Sequence, residues 1–315
     1  MSTEEPTAAS TAAWPAVSTE AEARAAFLSR AGGPALGARA VLERAARLLP
    51  GAVDATSDVE TALTELAARA ARRPAAVDPA PVEPVAATPV PATPASWGLE
   101  LATGALRRVP VPASASPVGI AAGLTWVGAL ETGLAQHCEA LLARCLGTSG
   151  TRVPRLDLAG EGLAVPDALL WALYTEGEPV AHDLTGLLSL PACAVALAPR
   201  TDGAPSPGGR APGAGETDTA IATGATLAEA ARTAAERALA RRRARASGRP
   251  VPPAVPAIGR ELECDPPRPL PRAQWSHPLD ALRSQGHDPV AVLLDHEAPV
   301  SEVLPYLVRI VLSVK

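Results

Sequence analysis

A histidine beside an aspartate could act as an acid–base pair, and His182-Asp183 offers that combination. The surrounding residues predict a strand, in which successive side chains point to opposite faces, so these two cannot form a catalytic dyad. The histidines include no pair at helical spacing; they are His137, His182, His277, His287 and His296. We interpret each of them as a structural or surface residue.

The cysteines offer no metal chemistry by their spacing. None of them forms a C-x-x-C pair, which disfavours both a metal site and a disulfide framework; they are Cys138, Cys145, Cys193 and Cys264. The sequence also lacks the phosphate-binding G-x-x-x-x-G-K-[ST] loop, the H-E-x-x-H zinc helix and the G-x-S-x-G elbow. It therefore predicts no catalytic and no metal-ligating residue.

Gln136 and Glu139 are the remaining polar candidates, and they are neighbours on the surface of a long predicted helix that begins at Thr125. Apolar residues at spacings of three and four form one stripe that faces a core: Trp126, Ala129, Leu130, Leu134, Cys138, Leu141, Leu142 and Cys145. From this helix alone, the two polar residues form the polar flank of a core helix. The small residues from Gly119 to Gly123 predict a turn before it.

Three helices are predicted in the first part of the chain, at 19–30, 36–49 and 57–73. Two begin with capping boxes, Thr19-x-x-Glu22 and Ser57-x-x-Glu60. Seven prolines between Pro74 and Pro94 predict an extended linker. The domain prediction is a disordered N-terminus at 1–17, a helical module at 18–73 and a Pro-rich linker at 74–96. The module is interpreted as an appendage, with a partner-docking surface as the alternative.

From Trp97 onward, strands alternate with helices, which predicts an α/β or α+β domain over residues 97–315. The predicted strands are 98–101, 106–111, 155–158, 179–184, 190–197, 290–294 and 306–314. The predicted helices are 125–146, 166–175, 226–243, 278–286 and a short turn at 301–304. A Gly- and Pro-rich loop is predicted at 199–219, and eight prolines make 250–271 irregular. The Arg241-Arg242-Arg243 run suits the dipole at a helix end, with phosphate binding as the alternative.

Composition excludes several classes of function. The chain has 315 residues, a net charge of −5 and a pI near 5.6, so it lacks the basic surface of a nucleic-acid-binding protein. The polar, acidic start of the chain is not a signal peptide, and no apolar run approaches the roughly 20 residues of a membrane span. A cytoplasmic protein is expected.

The segment from Gly119 to Cys145 resembles one found in the YcaO-like family. Members carry G-x-A-A-G-x-T, then Ala, then Gly, then Glu-x-x-Glu-Arg-Asp. The small positions of that pattern are filled here without a gap, by Gly119, Ala121, Ala122, Gly123, Thr125, Ala129 and Gly133. The four positions that carry charge hold Gln136, Glu139, Ala140 and Leu141, so only Glu139 keeps a carboxylate there.

The resemblance extends over roughly residues 97–315. Residues 99–112 are similar to the family's strand-turn-strand, and 178–191 to a strand pair marked by Asp183, Thr185 and Pro191. Residues 216–243 are similar to its Gly-rich loop and Ala-rich helix, and 288–310 to its closing strand pair. The resemblance implies an α/β (α+β) fold, a YcaO-like mixed sheet flanked by helices, with a small N-terminal helical module.

Active members of that family use ATP and magnesium to phosphorylate a peptide amide oxygen, after which a Cys or Ser side chain closes onto the backbone as an azoline. Magnesium needs oxygen ligands, and the family supplies carboxylates from three helices. Here the first helix has no evident counterpart, the second has Gln136 and Glu139, and the third has Glu236 or Arg237, depending on a one-residue register. We therefore assign Gln136, Glu139 and Glu236 to vestigial ATP/Mg positions and expect no catalytic residue, metal or cofactor.

The resulting prediction is a non-catalytic, YcaO-like partner or scaffold subunit, a pseudoenzyme, in a complex that modifies a ribosomally synthesised peptide. Its expected partners are a catalytic YcaO homologue, a leader-peptide-binding protein and the precursor peptide, in a hetero-oligomer without nucleic acid or membrane. One alternative is an active ATP-dependent cyclodehydratase subunit that contributes part of a shared site. Another is an unrelated α/β protein that binds a small molecule.

Overall fold

The computed structural model describes residues 19–53, 58–71, 95–110, 117–148, 152–160, 162–198, 217–248, 255, 258, 263–264, 278–294 and 306–314. The chain divides into two compact units. Unit 1 comprises residues 1–134 and 288–315, and unit 2 comprises residues 135–287. Each unit combines helices with a largely antiparallel sheet, so the fold is α+β.

The elements are numbered along the chain. The helices of the described residues are α1 (Glu20–Ala31), α2 (Ala38–Leu48), α3 (Val59–Ala71), α4 (Trp126–Thr148), α5 (Asp167–Glu176), α6 (Thr185–Leu188), α7 (Leu227–Ala246) and α8 (Pro278–Ser284). The strands are β1 (Ala95–Glu100), β2 (Leu106–Pro110), β3 (Ile120–Ala122), β4 (Val153–Leu156), β5 (Glu178–Asp183), β6 (Ala192–Ala198), β7 (Asp218–Thr223), β8 (Glu263–Cys264), β9 (His287–Leu293) and β10 (Leu307–Val314).

The three N-terminal helices begin and end close to their predicted bounds. The capping box of α1 is confirmed, because Thr19 Oγ1 accepts the Glu22 N–H and Glu22 Oε2 accepts the Thr19 N–H, each at 3.2 Å. At the start of α3, Asp58 Oδ1 accepts the Thr61 N–H at 2.7 Å. The Ser57 predicted to cap this helix lies outside the described residues.

Unit 1 is built on a five-stranded sheet in the order β2-β1-β9-β10-β3. Its core lies where the helices α2 and α3 pack with the sheet; the buried residues are Val41, Ala45, Leu49, Val53, Ala62, Leu66, Ala67, Ile120, Ala122, Leu294 and Leu307. The Tyr306 hydroxyl donates a hydrogen bond to the Pro34 carbonyl oxygen at 2.6 Å. Unit 1 is thus assembled from segments far apart in the sequence.

Unit 2 has its own five-stranded sheet, in the order β7-β6-β5-β4-β8, in which only the pairing of β4 with β8 is parallel. Helices α5 and α7 share a core with this sheet. One face of α7 is fully buried and consists of Ala230, Ala231, Ala234, Ala235 and Ala238. Small residues of the strands belong to the same core, namely Ala181, Cys193, Ala220 and Ala222. Small side chains on both surfaces let the helix lie close to the sheet.

The division between the two units falls within α4, the longest helix of the described residues. Most of its predicted apolar stripe is buried: Trp126, Ala129, Leu134, Cys138, Leu141 and Leu142. Leu130 and Cys145 are only half-buried, so the prediction is wrong for these two positions. In unit 1 the Trp126 ring meets Phe27 edge to face, with ring centroids 6.1 Å apart.

Three strands depart from the sequence predictions. Residues 120–122 form β3 rather than a turn, because they pair antiparallel with β10. Strand β7 begins inside the loop predicted at 199–219, and it pairs along its whole length with β6. Strand β8 lies within the segment predicted to be irregular and pairs with β4 at two positions.

Other predictions fall outside the described residues. These are the disordered N-terminus, the linker from 74 to 94, the loop from 199 to 216, most of 250–271 and the turn at 301–304. Among the helices that the structure describes, none combines the length and apolarity needed to cross a bilayer.

Candidate functional site

The candidate site lies in unit 2, where side chains of α4 and α7 meet the end of strand β7. Helix α7 is capped by Thr226, whose Oγ1 accepts the Glu229 N–H at 3.1 Å. Because Ala234 and Ala238 are fully buried, the rotation of α7 about its axis is fixed. Arg237 then lies at the edge of the buried face and reaches α4.

Glu139 and Arg237 form the centre of the site. Arg237 Nη1 donates to Glu139 Oε1 at 2.8 Å, and the same oxygen accepts the backbone N–H of Thr223 at 3.3 Å. Arg237 Nη1 also donates to the carbonyl oxygen of Ile221 at 3.3 Å. The Glu139 side chain is 16% exposed and that of Arg237 is 39% exposed. A charge-assisted hydrogen bond of this length is among the stronger kinds in proteins.

The three residues assigned from the sequence are placed differently. Glu139 takes part in the contacts just described, and Gln136 is half-buried one turn earlier on α4. Glu236 is exposed to solvent, whereas its neighbour Arg237 makes the contact with Glu139. The sequence left open whether Glu236 or Arg237 aligns with the family's glutamate. In the structure it is Arg237 that lies against α4.

These residues do not fit the magnesium and ATP that the family resemblance implies. Magnesium is held through carboxylates, water and phosphate oxygens at short distances. At Glu139, one carboxylate oxygen is already bound by a guanidinium and by a backbone N–H. The position on α7 that faces it carries a cation, and an arginine repels a metal ion rather than binding it. Across the part of the chain that the structure describes, no group of three or more His, Cys, Asp or Glu side chains is placed to hold a metal.

The small residues of the resemblance have packing roles in unit 1. A Cβ atom added to Gly123 would lie 2.4 Å from the backbone nitrogen of Ala129, so a side chain does not fit at this position. A Cβ atom on Gly133 would lie 2.7 Å from Ile310 Cγ1 and 3.3 Å from the Gly119 carbonyl oxygen. These glycines let α4 begin close to β3 and lie against β10.

Two further charged contacts were not foreseen from the sequence. His182 is 1% exposed, and its Nε2 lies 3.3 Å from Glu263 Oε1 on β8. Burial lowers the pKa of His182 from its ordinary value of 6.5, and the hydrogen bond with Glu263 opposes that shift. Only the pairing of β8 in space brings this glutamate to the histidine, which no sequence spacing reveals.

Asp218 is the second case. Its buried carboxylate lies 2.9 Å from Arg245 Nε and 3.5 Å from Arg242 Nη1. Arg243 is paired instead with Glu176, at 3.3 Å. The arginines that end α7 are thus partly held by carboxylates, in addition to their favourable position near the helix dipole.

The buried cysteines are not placed to act as nucleophiles. Burial raises the pKa of Cys138 and that of Cys193 to about 12 each. A thiol with such a pKa is protonated at neutral pH, and the reactive form of cysteine is the thiolate. The Cys138 thiol instead donates to the Pro278 carbonyl oxygen at 3.7 Å.

Comparison with known proteins gave matches among solved structures alone. No protein-family profile matches the chain, and no curated protein sequence matches it. A heterocyclase in complex with substrate and cofactor is similar at 16% identity and a TM-score of 0.49, over 69% of this chain and 32% of that one. The heterocyclase TruD is similar at 16% identity and a TM-score of 0.48, over 69% of this chain and 34% of that one.

The E. coli microcin synthetase McbBCD complex with pro-MccB17 bound is similar at 13% identity and a TM-score of 0.36, over 49% of this chain and 42% of that one. The chain therefore spans about a third of the length of the two heterocyclases.

Proposed function

We propose that this chain is a non-catalytic, YcaO-like partner or scaffold subunit of a complex that modifies a ribosomally synthesised peptide. The observation that carries the proposal is the ion pair between Glu139 and Arg237. Glu139 is the one carboxylate kept at the charged positions of the family pattern on α4, and a guanidinium supplies the positive charge that magnesium would bring to it.

The remaining replacements support the same proposal. Gln136, Ala140 and Leu141 stand on α4 where the resemblance places Glu, Arg and Asp. An amide binds magnesium more weakly than a carboxylate, and alanine and leucine offer no side-chain ligand or cation at all. These positions therefore carry fewer metal-binding carboxylates and one cation fewer than phosphoryl transfer would need.

The glycines that pack α4 match the family pattern, whereas the positions that would bind metal and phosphate do not. Gly123 and Gly133 are retained where a side chain would collide with the backbone of Ala129 or with Ile310. A chain that preserves the packing residues of a family and loses its ligands is what we expect of a subunit that serves assembly. Its proposed partners are a catalytic YcaO homologue, a leader-peptide-binding protein and the precursor peptide.

The test is reconstitution with a YcaO homologue and a short Cys- or Ser-rich peptide encoded beside this gene. We expect a stable complex by size exclusion with light scattering, and peptide modification, followed by mass spectrometry, that depends on the homologue's ATP site. Glu139→Gln in this chain is the deciding variant, because it removes the carboxylate with little change in shape. It should leave turnover by the assembled complex unchanged.

Two results would overturn the proposal. One is ATP hydrolysis by the isolated chain in the presence of peptide. The other is loss of turnover in the Glu139→Gln complex while its assembly is unaffected, which would show that the carboxylate belongs to a working site shared between subunits.

A further inference from the structure

Helix α5 presents two aromatic side chains to solvent. Trp171 is 73% exposed and Tyr174 is 47% exposed, although the chain contains only five tryptophans, two tyrosines and one phenylalanine. Three residues apart on one helix, the two side chains share a face. Tryptophan and tyrosine are, with arginine, the residues enriched among those that contribute most to binding at protein interfaces.

The exposed face is distinct from the face that holds α5 in unit 2. Leu173 is fully buried in the core of that unit, and Leu169, Leu170 and Ala172 pack against the same core. Thr175 Oγ1 donates to the Trp171 carbonyl oxygen at 2.8 Å, so the outward turn is ordered without using the indole ring. Trp171 and Tyr174 are therefore not needed to pack the helix.

The charged residues of the sequence segment that contains this face are acidic. Between residues 156 and 199 the chain contains no lysine or arginine, while Asp167 and Glu178 flank the aromatic pair with exposed side chains. Asp167 lies four residues before Trp171 and thus on the same side of the helix. Glu176 is the flanking carboxylate whose charge is balanced, by Arg243 at 3.3 Å.

An exposed indole with carboxylates beside it is suited to a cation on an apolar stem. The face of tryptophan attracts arginine and lysine more strongly than the other aromatic rings do. Neighbouring carboxylates add an attraction that speeds encounter and excludes acidic partners. We propose that the aromatic face of α5 (Trp171 and Tyr174, with Asp167) docks a polypeptide that presents arginine or lysine beside apolar residues.

That the partner is the catalytic homologue rests on the proposed function. The kind of surface that this face can bind follows from its own residues and does not depend on that proposal. The experiment measures the dissociation constant of the homologue by surface plasmon resonance for the wild type, Trp171→Ala, Tyr174→Ala and Asp167→Asn. Val127→Ala is the matched control, because Val127 is an apolar helix residue that is 59% exposed elsewhere. Circular dichroism verifies that each variant is folded.

We expect Trp171→Ala to weaken binding about 10–30-fold and Val127→Ala to leave it unchanged. Binding by the wild type should also weaken between about 0.1 and 1 M NaCl, over which the screening length falls from roughly 10 to 3 Å. Equal affinities for all variants would overturn the docking face and leave the proposed function standing. Light scattering that shows a dimer of the isolated chain, abolished by Trp171→Ala, would instead assign the face to a second copy.

If the wild type does not bind the homologue, the proposed function fails and a second probe decides the inference. A synthetic peptide that alternates leucine with arginine is titrated beside one that alternates leucine with glutamate. Preference for the arginine peptide that disappears in Trp171→Ala supports the face. No preference between the peptides overturns it.

Discussion

Arg237 Nη1 and Glu139 Oε1 meet at 2.8 Å, although the two residues are 98 positions apart in the sequence. The pair joins α4 to α7, and the Thr223 N–H on the same carboxylate oxygen adds strand β7. A contact that links three elements of unit 2 stabilises that unit, in addition to occupying the carboxylate that magnesium would need.

Removing Arg237 should therefore destabilise unit 2. We expect Arg237→Met to lower the free energy of unfolding by about 1–3 kcal/mol, because it leaves the largely buried Glu139 carboxylate without its guanidinium. Arg243→Met on the same helix is the control, since its pair with Glu176 is more exposed and should contribute at most about 1 kcal/mol. Urea unfolding followed by circular dichroism measures both. A larger loss in the control would contradict the assigned role of the pair.

Partial restoration of the family pattern should not restore nucleotide binding. The double variant Gln136→Glu and Ala140→Arg adds back a carboxylate and a cation on α4, but Arg237 still holds Glu139. Isothermal titration with Mg–ATP is expected to show no binding for the wild type or for this variant. Low-micromolar binding by either protein would show that a working site survives.

The buried side of α4 should contribute to the stability of unit 1 through Leu134. Leu134 is 2% exposed, and truncation to alanine in a packed core costs about 2–5 kcal/mol. Leu130→Ala should cost less, because that side chain is only half-buried. Val127→Ala, at a position 59% exposed, should change the unfolding free energy by no more than about 0.5 kcal/mol. Thermal melting orders the three variants, and a melting temperature for Leu134→Ala equal to that of Val127→Ala would refute this assignment of the buried face.

Acidification should destabilise unit 2 through His182. Burial lowers the pKa of this imidazole below its ordinary 6.5, so the unfolded chain binds the proton more readily than the folded one. The contribution of His182 is present above pH 6.5 and is lost as the pH falls through the lowered value. Urea midpoints between pH 5 and 8 should fall on the acid side in the wild type and fall less in His182→Gln. Glu263→Gln removes a group that raises the pKa of His182, so the folded state resists protonation further and the urea midpoint should fall more on the acid side than in the wild type; a smaller fall would be inconsistent with that contact.

Capping boxes and apolar stripes predicted the helices well, because those patterns depend on neighbours within one turn. Strands β3 and β7 were harder to predict, since their sequences IAA and DTAIAT are short and rich in alanine. Alanine has low strand propensity, and in β7 it is favoured because α7 packs its own alanines against the sheet, whereas in β3 Ala122 is buried in the core formed with α2 and α3. Tertiary packing thus outweighs local preference in these strands.

The candidate site was predictable in part. The resemblance placed Glu139 on the helix, but it did not decide between Glu236 and Arg237. The alanines at 230, 231, 234, 235 and 238 repeat at spacings that mark the buried face of α7, and Arg237 lies at its edge. That pattern is visible in the sequence and would have selected the register. The pairing of Glu263 with His182 depends on the parallel register of β8 with β4, which no local pattern encodes.

The order of strands in unit 1 has a consequence for synthesis of the chain. Strand β10 lies between β9 and β3, and Tyr306 just before it bonds to Pro34. Residues 135–287 of unit 2 are translated before β9 and β10 are available. On the ribosome, unit 2 can therefore complete its sheet first. The helices and strands before residue 134 have not yet paired with β9 and β10, so their apolar faces stay exposed to solvent. Nascent chains stalled before residue 306 should be bound by chaperones at those early segments. Chaperone binding should end once β10 has left the exit tunnel and can pair with β3.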